Sequence, residues 1–286
     1  MAILMKGAPV AAAINDRTRQ DCAYLRSQGV IPTLALVRVG ENDADVYYER
    51  AAMKRCESVG VETRNIILRE SASEEELIAA LRDLNEDRTV HGVLLFRPLP
   101  KHMDDARVRN TLSPEKDVDG ITEASLGGIF TGSGVGYAPC TARSVMEILD
   151  YYGAQLEGAR AAVLGRSLVV GKPVSQLLMA RNATVTVCHR RTRELKEELR
   201  RADIIVAAAG SRGSVTIGHV CPGQVIVDVG INTDENGRMV GDVDFEDVEP
   251  FVSAITPVPG GVGAVTTSVL ASHTVAAAKA RWARGL

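Results

Sequence analysis

Aromatic side chains are scarce in this chain: Phe, Tyr and Trp together make up only 4% of its 286 residues. A core of ordinary size must therefore consist mainly of Val, Leu, Ile and Ala, and the hydrophobic fraction of 45% is sufficient for one. The length is generous for a single α/β unit and comfortable for two. Composition alone therefore indicates a globular protein of two α/β domains.

Cysteine, net charge and long apolar runs are also limited. The five cysteines are odd in number and contain no CxxC pair, so we expect neither a disulfide framework nor a zinc site or other metal site. A net charge of −3 without a basic run gives no reason to expect a nucleic-acid or membrane-surface partner. No apolar stretch approaches the roughly 20 residues that span a bilayer, and no signal-like segment is recognisable. We expect a cytoplasmic enzyme.

Short apolar runs alternate with helical patterns along the chain. In the first half this order predicts a parallel sheet with helices on both faces, and Ser73 with Glu76 predicts a capping box that opens a helix. The predicted strands of this half are 33–39, 63–68 and 92–96. The glycine- and serine-rich stretch Gly127–Gly136 is the best candidate for a linker. A second alternating series follows, with predicted strands at 161–164, 184–187, 204–208 and 225–228 and a last helix at 266–283.

The segment 161–173 has the pattern of a strand, a glycine turn and a helix start. Gly165 allows a tight turn and Gly171 a close backbone approach, and Arg166 and Ser167 lie between them. Amides at such a helix start can bind pyrophosphate oxygens. The spacing departs from Gly-x-Gly-x-x-Gly, so an ordinary βα turn remains the alternative to a dinucleotide site.

The predicted strand after that turn ends in Arg190 and Arg191 and carries no acidic residue at its tip. An acidic residue there would hold the ribose 2′-hydroxyl of NAD, whereas guanidinium groups can bind a 2′-phosphate. We therefore expect NADP as the cofactor, with Arg166 as a further candidate contact. Two solvated surface arginines are the alternative interpretation.

Four further strings complete a recognisable pattern. They are Pro114-Glu-Lys-Asp-Val-Asp119-Gly120, Pro139-Cys-Thr141, Asp228-Val-Gly-Ile-Asn232 and Ile255-Thr-Pro-Val-Pro-Gly-Gly-Val-Gly263. With the glycine turn, they resemble the methylenetetrahydrofolate dehydrogenase/cyclohydrolase family in order over nearly the whole chain. Several of these strings are long and unusual, so chance agreement is not a reasonable explanation.

The resemblance implies a fold of two α/β domains. These are a folate-binding catalytic domain at 1–138 plus 267–286, completed by a returning C-terminal helix, and a Rossmann-type, doubly wound NADP-binding domain at 139–266. It also implies a homodimer formed through the cofactor domain. The implied reaction is the NADP-dependent oxidation of 5,10-methylenetetrahydrofolate, followed in most members by hydrolysis of the methenyl cation to 10-formyltetrahydrofolate.

The same resemblance assigns roles to single residues. Asp119 corresponds to the aspartate that holds the pterin ring, with a helix-capping role as the alternative, and Tyr48 to the tyrosine that stacks on substrate, with Tyr47 or a purely structural tyrosine as alternatives. Cofactor contacts are implied for Ile231 and Thr266, besides the turn and the two arginines. Substrate contacts are implied for Pro257, Val258, Pro259, Gly260 and Gly261.

Two positions depart from the family pattern. Ala52 stands where the family pattern Tyr-x-x-x-Lys-x-Lys-x-Cys has its catalytic lysine, and Phe96 stands where the family has the glutamine bonded to that lysine. At about 100° per residue, Lys54 points roughly 200° away from position 52 on a helix and cannot simply replace it.

Hydride transfer needs alignment but no proton shuttle, whereas hydrolysis needs a positioned acid or base. We therefore expect a dehydrogenase with weak or absent cyclohydrolase activity. One alternative is a bifunctional enzyme in which Arg50, Lys54 or Arg97 compensates, although arginine stays protonated and is a poor base. The other is a non-catalytic module that binds a dinucleotide or folate.

Overall fold

A computed structural model describes residues 2–285, which form two compact α/β units. The first unit contains Ala13–Cys140 and the described residues from Thr267 onward. The second unit contains Thr141–Thr266 and the described residues before Ala13. The sequence placed these opening residues in the other domain, but Ile3–Leu4 form a strand of the second unit's sheet. Met1 and Leu286, the ends of the predicted first domain, lie outside the described residues.

Eleven strands and ten α-helices are recognised between residues 2 and 285. The strands are β1 (Ile3–Leu4), β2 (Thr33–Val39), β3 (Glu62–Leu68), β4 (Gly92–Leu95), β5 (Arg160–Leu164), β6 (Thr184–Cys188), β7 (Ile204–Ala207), β8 (Val225–Asp228), β9 (Asn232–Thr233), β10 (Met239–Val240) and β11 (Ala254–Ile255). The helices are α1 (Gly7–Ser27), α2 (Asp43–Val59), α3 (Glu74–Glu86), α4 (Asp105–Arg109), α5 (Glu123–Thr131), α6 (Cys140–Tyr151), α7 (Gly171–Met179), α8 (Leu195–Arg200), α9 (Phe245–Val248) and α10 (Thr266–Ala283).

The first unit is built on a three-stranded parallel sheet in the order β3-β2-β4. All four residues of β4 and the five central residues of β2 are buried, as expected for parallel strands that are covered on both faces. Helix α3 begins with the predicted capping box: Glu76 donates its backbone N–H to Ser73 Oγ at 3.2 Å, and its carboxylate accepts the Ser73 N–H at 2.7 Å. That prediction is confirmed.

The second unit contains a six-stranded sheet in the order β1-β11-β8-β7-β5-β6. Each pair of neighbouring strands in this sheet is parallel. The first β-α-β step of the unit, β5-α7-β6, has the arrangement of a Rossmann-type unit. The predicted fold class, two α/β domains of which one is of the Rossmann type, is confirmed. Strands β9 and β10 form a separate antiparallel hairpin.

The interpretation of Gly127–Gly136 as a linker was wrong. Helix α5 continues through Thr131, and the boundary between the units falls at Cys140 and Thr141, at the start of α6. Two of its glycines serve close packing instead: a Cβ on Gly128 would lie 2.0 Å from the carbonyl oxygen of Val135, and one on Gly136 would lie 2.1 Å from Ser125 Oγ. A composition rich in glycine therefore marked a tight local turn and not a flexible connection.

No helix within residues 2–285 combines the length and the apolar character that a membrane span requires.

Candidate active site

Tyr48 and Phe96 follow two neighbouring strands of the first unit. Tyr48 lies on α2, which comes after β2, and Phe96 follows β4 directly, its N–H donated to Val37 O at 2.9 Å. Their ring centroids are 6.2 Å apart at an interplanar angle of 77°, an edge-to-face contact. Tyr47 is 78% exposed. The structure therefore brings Tyr48, and not its neighbour, into contact with Phe96 at the carboxyl edge of the sheet.

A buried ion pair that the sequence analysis did not identify holds the middle of α2. Arg38 on β2 donates from Nε to Glu49 Oε2 at 2.6 Å, and its Nη1 donates to Gly40 O. Asn65 on β3 donates to the other oxygen of Glu49. Both charged side chains are more than 90% buried, so losing one partner would leave an uncompensated charge. The pair fixes the helix turn that carries Tyr48.

Position 52 lies on the buried face of α2. Ala52 has no exposed surface, whereas Lys54 and Arg50 are exposed. Arg97 forms a two-point contact with Asp105, at 2.5 Å for both Nε–Oδ1 and Nη2–Oδ2. Arg97 is thus already engaged by a carboxylate, and Arg50 and Lys54 lie on the exposed part of α2, away from the buried face that contains position 52.

Asp119 follows a segment that extends along β4. Val93 donates its N–H to Lys116 O at 2.8 Å, and a Cβ on Gly92 would lie 2.8 Å from Val118, so the two segments are in close contact. Gly120 adopts φ 66°, where a Cβ would also lie 2.5 Å from the Tyr137 carbonyl oxygen. Only glycine fits this turn, which explains the Asp-Gly order.

The carboxyl group of Asp119 lies in a polar but poorly solvated environment. Burial raises its pKa to about 6, a hydrogen bond from Cys140 opposes the rise, and the carboxylate of Asp117 adds to it. The neighbouring Val118 and Cys140 are in turn contacted by His273, whose Nδ1 lies 2.9 Å from Val118 O and 4.0 Å from Cys140 Sγ.

Asp117 has a structural role. It accepts the N–H groups of Ile121 and Thr122 at 3.0 and 2.8 Å and the Ser125 hydroxyl at 2.6 Å. The helix-capping role considered for Asp119 is therefore filled by other residues. Asp117 fixes this turn, and the Thr122 side chain caps α5.

In the second unit the glycine turn after β5 is closed tightly. Gly165 has φ 136°, and a Cβ there would lie 2.1 Å from Ala208 O, just beyond β7. A Cβ on Gly171, the first residue of α7, would lie 2.1 Å from Gly165 O. Val170, at the N-cap of α7, makes no side-chain capping bond. The turn thus brings the start of α7 against the backbone of the turn after β5, the arrangement of a dinucleotide-binding turn.

The residues around the turn and at the tip of β6 are exposed and basic. Arg166, Arg190 and Arg191 are exposed, and Ser167 is exposed beside Arg166. After β6 the backbone forms a turn in which His189 donates its N–H to Thr192 Oγ1 at 2.8 Å. No acidic residue occurs between Cys188 and Arg193, so a phosphate at this tip would meet no local carboxylate.

The remaining predicted contacts lie after β8, after β11 and at the start of α10. Ile231 is apolar and 68% exposed. The segment Pro257, Val258, Pro259, Gly260 and Gly261 follows β11 and is buried only at its last residue. Thr266 is buried, and its hydroxyl donates to Gly263 O at 3.2 Å at the start of α10.

Groups of three or more His, Cys, Asp or Glu side chains that could hold a metal ion do not occur in the described part of the chain. The second unit has the strand order and glycine turn of a dinucleotide-binding unit, and the first presents a half-buried aspartate and an aromatic pair at one sheet edge. These features define the class: an α/β protein with a dinucleotide-binding unit of the Rossmann type.

Comparison with known proteins identifies the family. Residues 5–119 match the model for the catalytic domain of tetrahydrofolate dehydrogenase/cyclohydrolase, and residues 139–282 match the model for the NAD(P)-binding domain of the same family. The chain belongs to the tetrahydrofolate dehydrogenase/cyclohydrolase family.

Individual relatives are similar over their full length. The bifunctional protein FolD of Carboxydothermus hydrogenoformans is 48% identical over 97% of both chains. The crystal structure of the bifunctional FolD enzyme of Campylobacter jejuni superposes with a TM-score of 0.96 at 39% identity, covering 98% of this chain and 100% of that one. The Trypanosoma brucei enzyme, solved with NADP and an inhibitor, gives 0.91 at 34% identity and 98% coverage of both chains.

Proposed function

We propose that this protein oxidises 5,10-methylenetetrahydrofolate to 5,10-methenyltetrahydrofolate with NADP. The observation that carries the proposal is the closed glycine turn of Gly165 and Gly171 beside exposed arginines, in the part of the chain that matches the family's NAD(P)-binding domain. The Trypanosoma brucei relative was solved with NADP, which supports the choice of cofactor.

The residues present fit NADP. Without a Cβ at 165 and 171, the main chain of the turn allows a pyrophosphate to approach the start of α7 closely, and Ser167 adds a hydroxyl donor. Arg190 and Arg191, with Arg166, would hold the 2′-phosphate through charge-assisted hydrogen bonds. Ile231 and Thr266 are the further proposed contacts. When bound, the nicotinamide accepts a hydride from the substrate.

For the substrate, Asp119 would accept hydrogen bonds from the pterin ring and Tyr48 would pack against it. A carboxylate matches a ring edge with adjacent N–H donors, and it does so best when ionised. Residues 257–261 are the proposed further substrate contacts. These side chains bind and orient the methylene carbon, and orientation is the main requirement of hydride transfer.

A second candidate function is cyclohydrolysis of the methenyl product. The Carboxydothermus hydrogenoformans and Campylobacter jejuni relatives are named as bifunctional, so the comparisons favour the bifunctional alternative. The expectation of weak cyclohydrolase activity has no support from them and rests on Ala52 and Phe96 alone. Ala52 is fully buried and Phe96 contacts Tyr48, so neither supplies an acid or a base at these positions.

Two assays separate these functions. Formation of NADPH from methylenetetrahydrofolate tests the dehydrogenase and would also exclude a non-catalytic binding module. Loss of methenyltetrahydrofolate in the absence of nicotinamide, compared with the same buffer without protein, tests the cyclohydrolase. A rate of methenyl loss no greater than in buffer would support the dehydrogenase-only interpretation, and brisk loss would establish the bifunctional one.

The family resemblance also leads us to propose a homodimer formed through the NAD(P)-binding unit. In that unit β6 is an edge strand, paired on one side with β5, and Val187 on it is 41% exposed. Light scattering of the purified chain tests this, with the mass of two copies expected. A cytoplasmic location stays a prediction.

A further inference from the structure

Asp242 forms hydrogen bonds with both of the loops that follow β7 and β8, two central strands of the second unit's sheet. It accepts the backbone N–H groups of Ala209, Gly210 and Ser211 at 2.6, 2.9 and 2.8 Å, in the loop after β7. It also accepts the side-chain amide of Asn232, after β8, at 2.9 Å. The carboxylate is fully buried. Four donors converge on one side chain, and each would otherwise need another partner.

A second buried carboxylate supports the first. Asp228, the last residue of β8, accepts the N–H groups of Gly230, Asp242 and Val243 at 2.9, 3.0 and 2.9 Å. Its own N–H is donated to Thr256 Oγ1 at 2.7 Å. Asp228 therefore fixes the backbone that carries Asp242, and together the two aspartates connect the segments that follow β7, β8, β10 and β11.

Two glycines make room for these carboxylates. A Cβ on Gly230 would lie 2.4 Å from Asp242 Oδ1, and a Cβ on Gly241 would lie 1.8 Å from Asp228 Oδ2. Neither glycine has a positive φ, so close approach is the reason that glycine is needed. The strings Asp228-Val-Gly-Ile-Asn232 and Gly241-Asp242-Val243 thus encode one packed network.

The network lies at the edge of the sheet where a dinucleotide binds. Ligands of such units bind beyond the carboxyl ends of the parallel strands, across the point where the strand order reverses. Here that point is β5, with β6 on one side and β7 and β8 on the other. If Arg190 and Arg191 after β6 hold the adenosine 2′-phosphate, the nicotinamide half lies over β7 and β8. The exposed apolar Ile231 belongs to this side.

We propose that Asp242 is a positioning residue for the nicotinamide half of the dinucleotide. It fixes the loop Ala209–Ser211 and the segment of Ile231 and Asn232 in the conformation that receives this half. The inference rests on the proposed function, since it takes the adenosine end from the arginines. It assigns no contact between Asp242 and the cofactor. Asp242 acts through the backbone groups that it binds.

Binding of two ligands to the full-length chain tests the inference. NADP spans both halves of the site, whereas adenosine 2′,5′-bisphosphate occupies only the adenosine half. Asp242→Asn keeps the shape but turns an amide toward buried N–H groups, so we expect NADP to bind about tenfold more weakly and the bisphosphate to change by less than about twofold. Calorimetric titration gives both dissociation constants without turnover.

A matched control comes from the opposite edge of the same sheet. Asp203 precedes β7 and accepts the N–H of Arg160 at 2.8 Å, so Asp203→Asn makes the same substitution at an aspartate that also accepts a backbone N–H but lies away from the strands' carboxyl ends. Binding of both ligands by this variant should match the wild type. Unchanged NADP binding by Asp242→Asn would overturn the inference, as would equal weakening of both ligands, which would indicate general loosening of the unit.

If Asp242→Asn does not fold, Asn232→Ala tests the positioning role instead. It removes one of the four hydrogen-bond donors to Asp242, and Asn232 is partly exposed. We expect NADP to bind about threefold more weakly and the bisphosphate as in the wild type. If NADP binding were not selectively weakened, the positioning role would be refuted. Failure of the proposed function is distinguishable. If the cofactor is not NADP, the wild type itself would bind neither ligand, and if the oxidation fails, the wild type would bind NADP but form no NADPH.

Discussion

Replacing Gly171 by alanine should impair NADP binding through a single methyl group. The added Cβ would lie 2.1 Å from Gly165 O, 2.4 Å from Gly165 C and 2.8 Å from Arg166 N. All three atoms belong to the backbone of the turn, so no side chain can move aside. Because real Cβ contacts shorter than 3.0 Å essentially do not occur, the turn and the α7 start must separate by about 1 Å (3.0 minus 2.1).

That displacement sets the magnitude of the effect. Overpacking of this kind typically costs about 1–3 kcal/mol, equivalent to roughly 5–150-fold in an equilibrium constant. We therefore expect the dissociation constant for NADP, measured by calorimetric titration, to rise by up to about two orders of magnitude. The midpoint of thermal unfolding should fall as well, since part of the strain acts without ligand.

Gly218→Ala is the matched control in the same unit. Gly218 does not have a positive φ, and its Cβ would meet only Thr216 Oγ1, at 3.7 Å. This variant should bind NADP as the wild type does. If Gly171→Ala bound NADP as tightly as Gly218→Ala, the tight turn would not be part of the cofactor site.

Three further predictions concern the cofactor, the substrate and the second activity. Replacing Arg190 and Arg191 together by alanine should raise the KM for NADP much more than that for NAD, because only NADP carries the 2′-phosphate. Asp119→Asn should weaken folate use strongly while NADP binding stays nearly unchanged. The pKa of Asp119 is raised to about 6, so kcat/KM for folate should fall in the wild type as the pH drops through about 6. The variant should lack this fall in its pH profile. Ala52→Lys with Phe96→Gln should gain methenyl hydrolysis more than additively, because a lysine beside Phe96 would be poorly solvated and unoriented.

Each of these has an outcome that would contradict it. Equal effects of the double arginine variant on both cofactors would remove the 2′-phosphate argument. Wild-type folate kinetics in Asp119→Asn would show a purely structural aspartate. For the gain of hydrolysis, Ala51→Lys is the control, because Ala51 neighbours Ala52 but is exposed. Equal gains from a lysine at position 51 and at position 52 would show that the position on α2 is irrelevant.

Much of the fold could be predicted from the sequence because its signals are local. The apolar runs of buried parallel strands gave β2 and β8 with the bounds observed, and the Ser73–Glu76 pair gave the start of α3. The glycine-rich stretch 127–136 misled because composition does not distinguish a flexible linker from glycines that permit close packing, as at Gly128.

The supporting interactions of the site could not be predicted, because they join residues that are distant in sequence. The Arg38–Glu49 pair carries two charges that look like surface residues until both are seen to be buried. The sequence string that contains Asp228 was recognised as part of the family pattern, but its physical reason is visible only when Gly230 is seen to face Asp242 and Gly241 to face Asp228. Spacing alone does not report such long-range pairing.

The most direct test of the proposed function is the initial rate of NADPH formation by the purified full-length chain given 5,10-methylenetetrahydrofolate and NADP, with NAD in a parallel reaction. We predict substrate-dependent NADPH formation, a clear preference for NADP over NAD, and loss of the rate in the Asp119→Asn variant. No NADPH formation above the rate without enzyme, from a folded protein that binds NADP, would contradict it.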